Sequence, residues 1–422
     1  MKIVNLLMKV FDNIHGYINI DPISTQIINT DEFQRLRHIH QTGILYLVFP
    51  TATHTRYEHS IGTYHLAKQM ITNIMFKQPE LNIKDEMILL VSIAGLCHDL
   101  GHLLFSHLFD DCFLPLINID KTNENINHEN RSKVILKHIV SKYDIPLNKS
   151  QLTIICDLID PKKAEYNKWE QQYQIGKWIF QIISNPINSI DVDKFDYLIR
   201  DTQAVGLKFS FDFSRILNEA RIINNTMCYS TQCSEDIYHM FFIRYRLHRQ
   251  IYNHQAVKSI EILIVKILLE LEKEFKISEY INDVDKMIKL VDHFIWINIT
   301  NNEIIKNIIG NINKRVIPKM IFQNITLEEV NYDINKINDE IGNNYEIVKF
   351  KVGYAGGNSP NPLNRIKFYD SDNNLIISDK KNDIKMFSHF INQKHQEYFY
   401  RIYHYDNDIV LNDFDKFMKT IK

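Results

Sequence analysis

The sequence predicts a mainly α-helical protein that ends in a small α/β lobe, and three observations carry that expectation. The chain has 422 residues, 45% hydrophobic and 24% charged, with 24 Phe and 21 Tyr to fill a core, so it is a folded globular protein. Apolar residues recur at helical spacing from about residue 30 to 310. From about residue 300 the chain turns richer in Asn and breaks into short alternating segments. These patterns place a helical domain at 1–314 and the α/β lobe at 315–422, with no repeat and no Pro- or Ser-rich linker between them.

Taken in order, the N-terminal Met1–Val10 is apolar but short. It holds Lys2 and Lys9 and lacks a small-residue cleavage site, so it does not read as a signal peptide. Glu86–Leu96 (EMILLVSIAGL) is apolar nearly all round and predicts a buried helix, whereas Ser259–Phe275 alternates an apolar face with Glu and Lys. The longest apolar stretches, Met87–Cys97 and Ile260–Leu269, fall short of the ~18 residues of a membrane span. Tyr345–Tyr354, Arg365–Asp370 and Leu375–Ser378 alternate apolar and polar residues around Asn, Gly and Pro, as short antiparallel strands do.

Composition narrows the chemistry. Gly is scarce, at 12 residues, and neither G-x-G-x-x-G nor G-x-x-x-x-G-K-[ST] occurs, so any phosphate must be held by side chains or metals. Lys+Arg at 49 nearly cancels Asp+Glu at 51, which gives no global reason to expect a nucleic-acid-coating surface. Five scattered cysteines (Cys97, Cys112, Cys156, Cys228, Cys233) without C-x-x-C fit a reducing compartment, cytoplasmic or nuclear.

The informative segment is Leu96–His107 (LCHDLGHLLFSH), where a His-Asp doublet ends an apolar helix and His102 and His107 follow. Upstream lie His54 and His59; downstream, Ser189–Asp201 offers Asp191, Asp193, Asp196 and Asp201. Imidazoles and carboxylates from three helices are what a Zn, Fe, Mn or Mg site needs. A lone His or Asp in such a place is more often structural. A buried doublet, however, costs several kcal/mol without partners, so a metal or strong hydrogen bonds are required.

FQRLRHIHQ (Phe33–Gln41), VFPTATHTRYEHSIG (Val48–Gly62), AGLCHDLGH and FSH (Ala94–His107), IDVDKFDYLIRD (Ile190–Asp201) and RYRLHRQIYNH (Arg244–His254) resemble the HD-domain deoxynucleoside triphosphate triphosphohydrolases. The nearest type is the vertebrate SAM-and-HD-domain enzyme, without its SAM domain. The likeness runs from about Lys9 to Tyr405 and includes NPLNRIKFYD (Asn361–Asp370). It implies an HD helical bundle that cleaves a dNTP to deoxynucleoside and inorganic triphosphate.

Carried over by position, the resemblance assigns His59, His98, Asp99 and Asp193 to a transition metal (Fe, Zn or Mn), with Mg accompanying the triphosphate. It assigns His107 to catalysis, oriented by Asp110 and supported by His128 and Glu129, and Arg56, His102, Lys194 and Arg244 to the triphosphate. Gln41, Tyr197, Asp201 and Tyr252 match positions around the deoxyribose, and His248 and Asn253 positions facing the base. Asn253 and Thr42 replace the vertebrate Gln and Leu. The resemblance also implies a homo-oligomer with regulatory nucleotide sites. Lys9, Val10, Gln34 and Arg37 match at the GTP site, and Val48, Phe49, Arg215 and His254 at the neighbouring dNTP site. Asn29 stands where the family reads guanine with Asp; Ser230 and Gln232 replace a basic pair, and Glu219 an aromatic. The expectation is therefore weakened or altered allosteric control. Two alternatives remain: an HD phosphohydrolase of a dNMP or cyclic nucleotide, or a vestigial HD scaffold that binds nucleic acid.

Overall fold

The computed structural model describes residues 8–208, 212–298, 302–353, 365–376, 396–409, 411 and 413–421. A hairpin comes first, β1 (Met8–Asp12) antiparallel to β2 (Gly16–Ile20). The helical body follows, with α1 (Arg56–Lys77) and α2 (Asp85–Cys97) as its centre. Glu58 starts α1 by accepting the backbone N–H of Thr55 at 3.0 Å, a cap that fixes where the next residues point. In α2, Met87, Leu90, Val91, Ile93, Ala94, Leu96 and Cys97 are fully buried, as the all-round apolar pattern predicts. Each buried Leu, Ile or Val contributes about 1.5–3 kcal/mol against the entropy of ordering the helix.

Four further helices complete the site's frame: α3 (His128–Lys142), α4 (Val192–Ala204), α5 (Ser234–Arg246) and α6 (Gln255–Phe275). Among the described residues no helix is long and apolar enough to cross a membrane. The body also holds strands that helical periodicity did not foretell, β3 (Ala220–Ile223) antiparallel to β4 (Thr226–Ser230).

The C-terminal lobe is a sheet of β5 (Lys319–Thr326), β6 (Tyr345–Gly353) and β8 (Gln396–His404) in the order β5-β8-β6, all antiparallel. Phe322, Ile337, Ile341, Ile402, Phe417 and Ile421 make a core separate from that of the body. The expected strand at 365–370 is shorter and differently placed. Only Phe368–Tyr369 forms it (β7), and it pairs in parallel with β4 while Ile366 and Phe368 enter the body's core. Leu375 makes a single bridge to Tyr369. Tyr354, residues 361–364 and residues 377–378 lie outside the described residues.

Candidate active site

The loop that leaves α2 carries the polar cluster, and its carbonyls are held by buried donors. Arg35 donates from Nη1 to the His102 carbonyl at 2.9 Å and from Nη2 to that of Leu100. Arg131 donates from Nε to the Gly101 carbonyl at 2.8 Å, and Ser132 Oγ donates to the His98 carbonyl at 2.7 Å while accepting from the Gly101 N–H. A Cβ on Gly101 would stand 2.0 Å from the His128 carbonyl, so only glycine lets α3 pack this closely. Sequence reasoning missed Arg35, Arg131 and Ser132, because nothing in a sequence separates a buried arginine on backbone carbonyls from a solvated one.

Within this frame three ligand atoms, from His59, His98 and Asp193, converge, and the carboxylate of Asp99 lies alongside them. His59 Nε2 lies 3.2 Å from His98 Nε2, 3.1 Å from Asp193 Oδ1 and 3.5 Å from Asp99 Oδ2; His98 Nε2 lies 3.4 Å from Asp99 Oδ1 and 3.6 Å from Asp193 Oδ1. Nitrogen and oxygen ligands held 2.0–2.2 Å from one ion stand about 3.0–3.5 Å apart, so the set fits a divalent metal. The far ring nitrogens fix the tautomers. His98 Nδ1 lies 2.8 Å from the Gly95 carbonyl and His59 Nδ1 2.8 Å from Asp196 Oδ2, which turns both Nε2 lone pairs toward the centre. Desolvation opposes charge on His59, but Asp193 and Asp196 outweigh it and push the metal-free imidazole up to about 10. Asp193 itself is held well below the usual carboxylate range, against desolvation, by the two imidazoles. Asp191, another acid of that segment, instead caps α4 through the Lys194 N–H at 3.1 Å.

Beside this set a second group, Asp99, His102 and His128, offers ligand atoms within 4.8 Å of one another. The His102 and His128 rings stack with centroids 4.0 Å apart, and His107 stands edge-on to both. His107 follows two residues in left-handed backbone, Phe105 and Ser106 (φ 57° and 56°), and begins a π-helical turn, Leu108–Phe113. Asp292 holds that strained corner by accepting the Phe105 N–H at 2.7 Å, another partner sequence reasoning missed. The His107 side chain is 62% exposed.

The expected orientation of His107 by Asp110 is not formed. Asp110 takes both Nη2 contacts from Arg131, at 2.6 and 2.9 Å, and lies 3.4 Å from His128 Nδ1, whereas Asp111 approaches His107 at 3.6 Å. The π-helical turn rotates Asp110 inward, which the spacing of residues does not reveal. Glu129 lies 3.7 Å from His128 Nδ1.

Several of the substrate candidates lie close to one another, among them Lys194, Tyr197, Asp201, Arg244, His248 and Tyr252, and several are already engaged. Arg56 is buried and donates to Asp99 Oδ2 at 2.6 Å, to the Gln41 carbonyl at 3.0 Å and to Ser106 Oγ at 3.1 Å. Lys194 lies 2.8 Å from Asp191 Oδ2, and Arg244 donates to the Gly353 carbonyl at 2.9 Å. Asp201 receives Tyr252 OH on one oxygen and lies 2.7 Å from His54 Nε2 on the other, with Tyr197 one turn earlier on α4. His248 and Tyr252 sit on a second π-helical turn, Leu247–Tyr252, rings edge-on at 5.0 Å. Asn253 departs from expectation: its Nδ2 donates to the His248 carbonyl at 2.7 Å, so its amide turns into its own turn rather than toward a base. Gln41 Oε1, Thr42 Oγ1, His54 Nδ1 and His102 Nδ1 are buried and have no partner among the described residues. Such atoms are what a polar ligand would satisfy.

The regulatory candidates make contacts of their own. Lys9 rests over the Tyr17 ring, Arg37 over Tyr57 while bonded to Gln34, and Val10 and Asn29 lie at or near the surface. Arg215 contacts Asp236 and Gln232, and His254, edge-on to Phe49, caps α6. Val48 is half-buried beside Phe49. Ser230 is buried and caps its own turn, and Glu219 accepts from Tyr369 OH at 3.2 Å.

The HD domain family model matches residues 56–201, the span from Arg56 to Asp201 that holds the four ligand candidates. An HD domain-containing protein of Acanthamoeba polyphaga mimivirus is 36% identical over 442 residues, covering 94% of this chain and 92% of that one. The Dictyostelium discoideum protein named deoxynucleoside triphosphate triphosphohydrolase SAMHD1 homolog is 33% identical over 419 residues, 95% of this chain and 77% of its own. Mouse SAMHD1, a deoxynucleoside triphosphate triphosphohydrolase, is 37% identical over 325 residues, 68% of this chain and 49% of its own. With these likenesses extending over nearly the whole sequence, the chain belongs to the HD-domain family of SAMHD1-type deoxynucleoside triphosphate triphosphohydrolases.

Proposed function

We propose that this chain hydrolyses dNTPs to the deoxynucleoside and inorganic triphosphate in the cleft between α1, α4 and the second π-helical turn. The observation that carries the reading is the convergence of His59, His98 and Asp193, with Asp99 alongside, near the cationic Arg56, Lys194 and Arg244. A divalent transition metal on those four ligands, with Mg on the triphosphate, would supply Lewis-acid activation of water and neutralise charge.

The chain's own residues do the rest. Arg56, His102, Lys194 and Arg244 bind phosphate oxygens. Asp201 accepts from the deoxyribose 3′-hydroxyl while the Tyr252 ring leaves no room at C2′, and Gln41 Oε1 gains a partner. In the reaction water oxygen bonds to the α-phosphorus, losing a proton to solvent, and the bond from phosphorus to the 5′-oxygen breaks. His107 gives that oxygen its proton. The negative charge of the triphosphate beside the imidazole favours its protonated form.

Regulation by GTP and dNTP is altered in this reading. Asn29 offers guanine one acceptor where two donors need a pair, and Ser230 and Gln232 leave the second site without its cations. Assembly into a dimer or tetramer then rests on the helical body rather than on bound nucleotide.

The test is to incubate the protein with dGTP, and separately with dGMP, in Mg²⁺ and Mn²⁺, and to separate the products. Deoxyguanosine with inorganic triphosphate from dGTP alone, lost in Asp193→Ala, is expected. Stepwise phosphate release, deoxyguanosine from dGMP, or no product would overturn the reading.

A further inference from the structure

The first hairpin reaches the metal centre from behind. Its tip residue His15 is buried, 3% exposed at the side chain, and its Nε2 lies 2.7 Å from Asp196 Oδ1. Asp196 presents its other oxygen to His59 Nδ1 at 2.8 Å and takes Arg200 on both, at 2.8 and 2.9 Å. Asp12, also on the hairpin, closes the turn by accepting from the Ile14 and His15 N–H groups and contacts Arg200 Nη1 at 3.0 Å. The hairpin thus grips α4 at two points, one of them the carboxylate that orients His59.

Space for this arrangement comes from Gly62 on α1, where a Cβ would stand 1.9 Å from Asp196 Oδ1. A carboxylate hemmed in on every side keeps one orientation, and the imidazole bonded to it does too. The His15 ring also packs against His65 and Phe213, at 5.3 and 5.9 Å between centroids.

We infer that His15 is a positioning residue for the metal ligand His59, acting through Asp196, so that docking of the N-terminal hairpin sets the affinity of the metal centre. Without the His15 contact Asp196 keeps its charge and its Arg200 partner but loses one of the two partners that hold Oδ1. It can then rotate away from His59 Nδ1, and the ring loses its fixed tautomer and direction. The inference rests on the reading of His59, His98, Asp99 and Asp193 as metal ligands.

The experiment compares Mn²⁺ and Zn²⁺ dissociation constants, by competition with a chelator, for wild type, His15→Ala, His15→Leu and His15→Gln, with the Tm of each metal-stripped protein. His15→Ala is expected to weaken metal binding about tenfold, toward the low end of what outer-shell losses cause. His15→Leu, which keeps the packing on His65 and Phe213 without an N–H, should behave alike and stands in if the alanine variant does not fold. His15→Gln, which can still donate to Asp196, should stay within about threefold of wild type. A lowered Tm with wild-type metal affinity in the alanine and leucine variants would overturn the inference and leave His15 a packing residue. Failure of wild type itself to bind either metal would instead overturn the ligand assignment.

Discussion

Replacing Arg131 by methionine should cripple the fold around the candidate site. The side chain is fully buried, and it serves the Gly101, Asn125 and Ile126 carbonyls at 2.8, 2.9 and 2.8 Å as well as both oxygens of Asp110. Methionine replaces the hydrocarbon stem but none of the donors. Removing one partner of a buried pair costs about 3–5 kcal/mol, a large part of a typical stability of about 5–15 kcal/mol. At about 2 °C per kcal/mol for a body of this size, Tm should fall by about 6–10 °C. All three tryptophans, Trp169, Trp178 and Trp296, lie in the body, so their fluorescence follows the relevant unfolding. Asp110→Asn in the same background removes the unpaired charge and should recover about 1–2 kcal/mol.

Acid gives a second readout of the same pair. Against desolvation, Arg131 and His128 hold the Asp110 carboxyl below its ordinary range. Ionised Asp110 therefore stabilises wild type above about pH 4, and that contribution is lost as pH falls through the depressed value. In Arg131→Met it is missing, so the gap between the two proteins should narrow on acidification below about pH 4. A loss under 1 kcal/mol at neutral pH, or a gap that does not change with acid, would refute the argument.

Three further outcomes follow from the site. Because the metal-free His59 imidazole sits near 10, metal uptake at pH 7.5 should release about one proton or more; calorimetry in two buffers of different ionisation enthalpy measures it, and zero release would contradict the geometry. On the proposed sugar-pocket role of Tyr252 and its bonded partner Asp201, kcat/KM for dGTP should exceed that for GTP by about ten- to a hundredfold, and comparable values would remove Tyr252 from that role. Hydrolysis of dCTP should proceed without GTP, given Asn29, Ser230 and Gln232 at the positions proposed as regulatory; strict GTP dependence, with light scattering showing assembly only on nucleotide addition, would overturn that proposal.

What could be read from the chain follows the physics of each signal. The apolar run Met87–Cys97 and the face of Ser259–Phe275 carry period and burial in their own letters, and both lie in helices. LCHDLGH was legible because acids and imidazoles at the end of a core helix are costly enough to demand an explanation. Arg35, Arg131, Asp292 and His15 were not, because their partners are backbone carbonyls, backbone amides or residues far along the chain. His15 and Asp196 are 181 positions apart. Asp110 and Asn253 were misread for a different reason: each sits on a π-helical turn or at its end, where the extra residue rotates side chains away from the direction that ordinary helical spacing implies.

Chain order and spatial order part company at β7. The lobe's sheet takes β5 and β6 from before residues 365–376 and β8 from after them, while that intervening piece is sewn to β4 in the body, with Ile366 and Phe368 only 5% and 3% exposed. The lobe is thus stitched through rather than appended. A form shortened before residue 365 would keep β5 and β6 without their central strand, bare the hydrogen-bonding edge of β4 and open two apolar sockets, all at once. Loss of function in such a truncation would report self-association of exposed edges, and so would say nothing about whether the lobe takes part in chemistry.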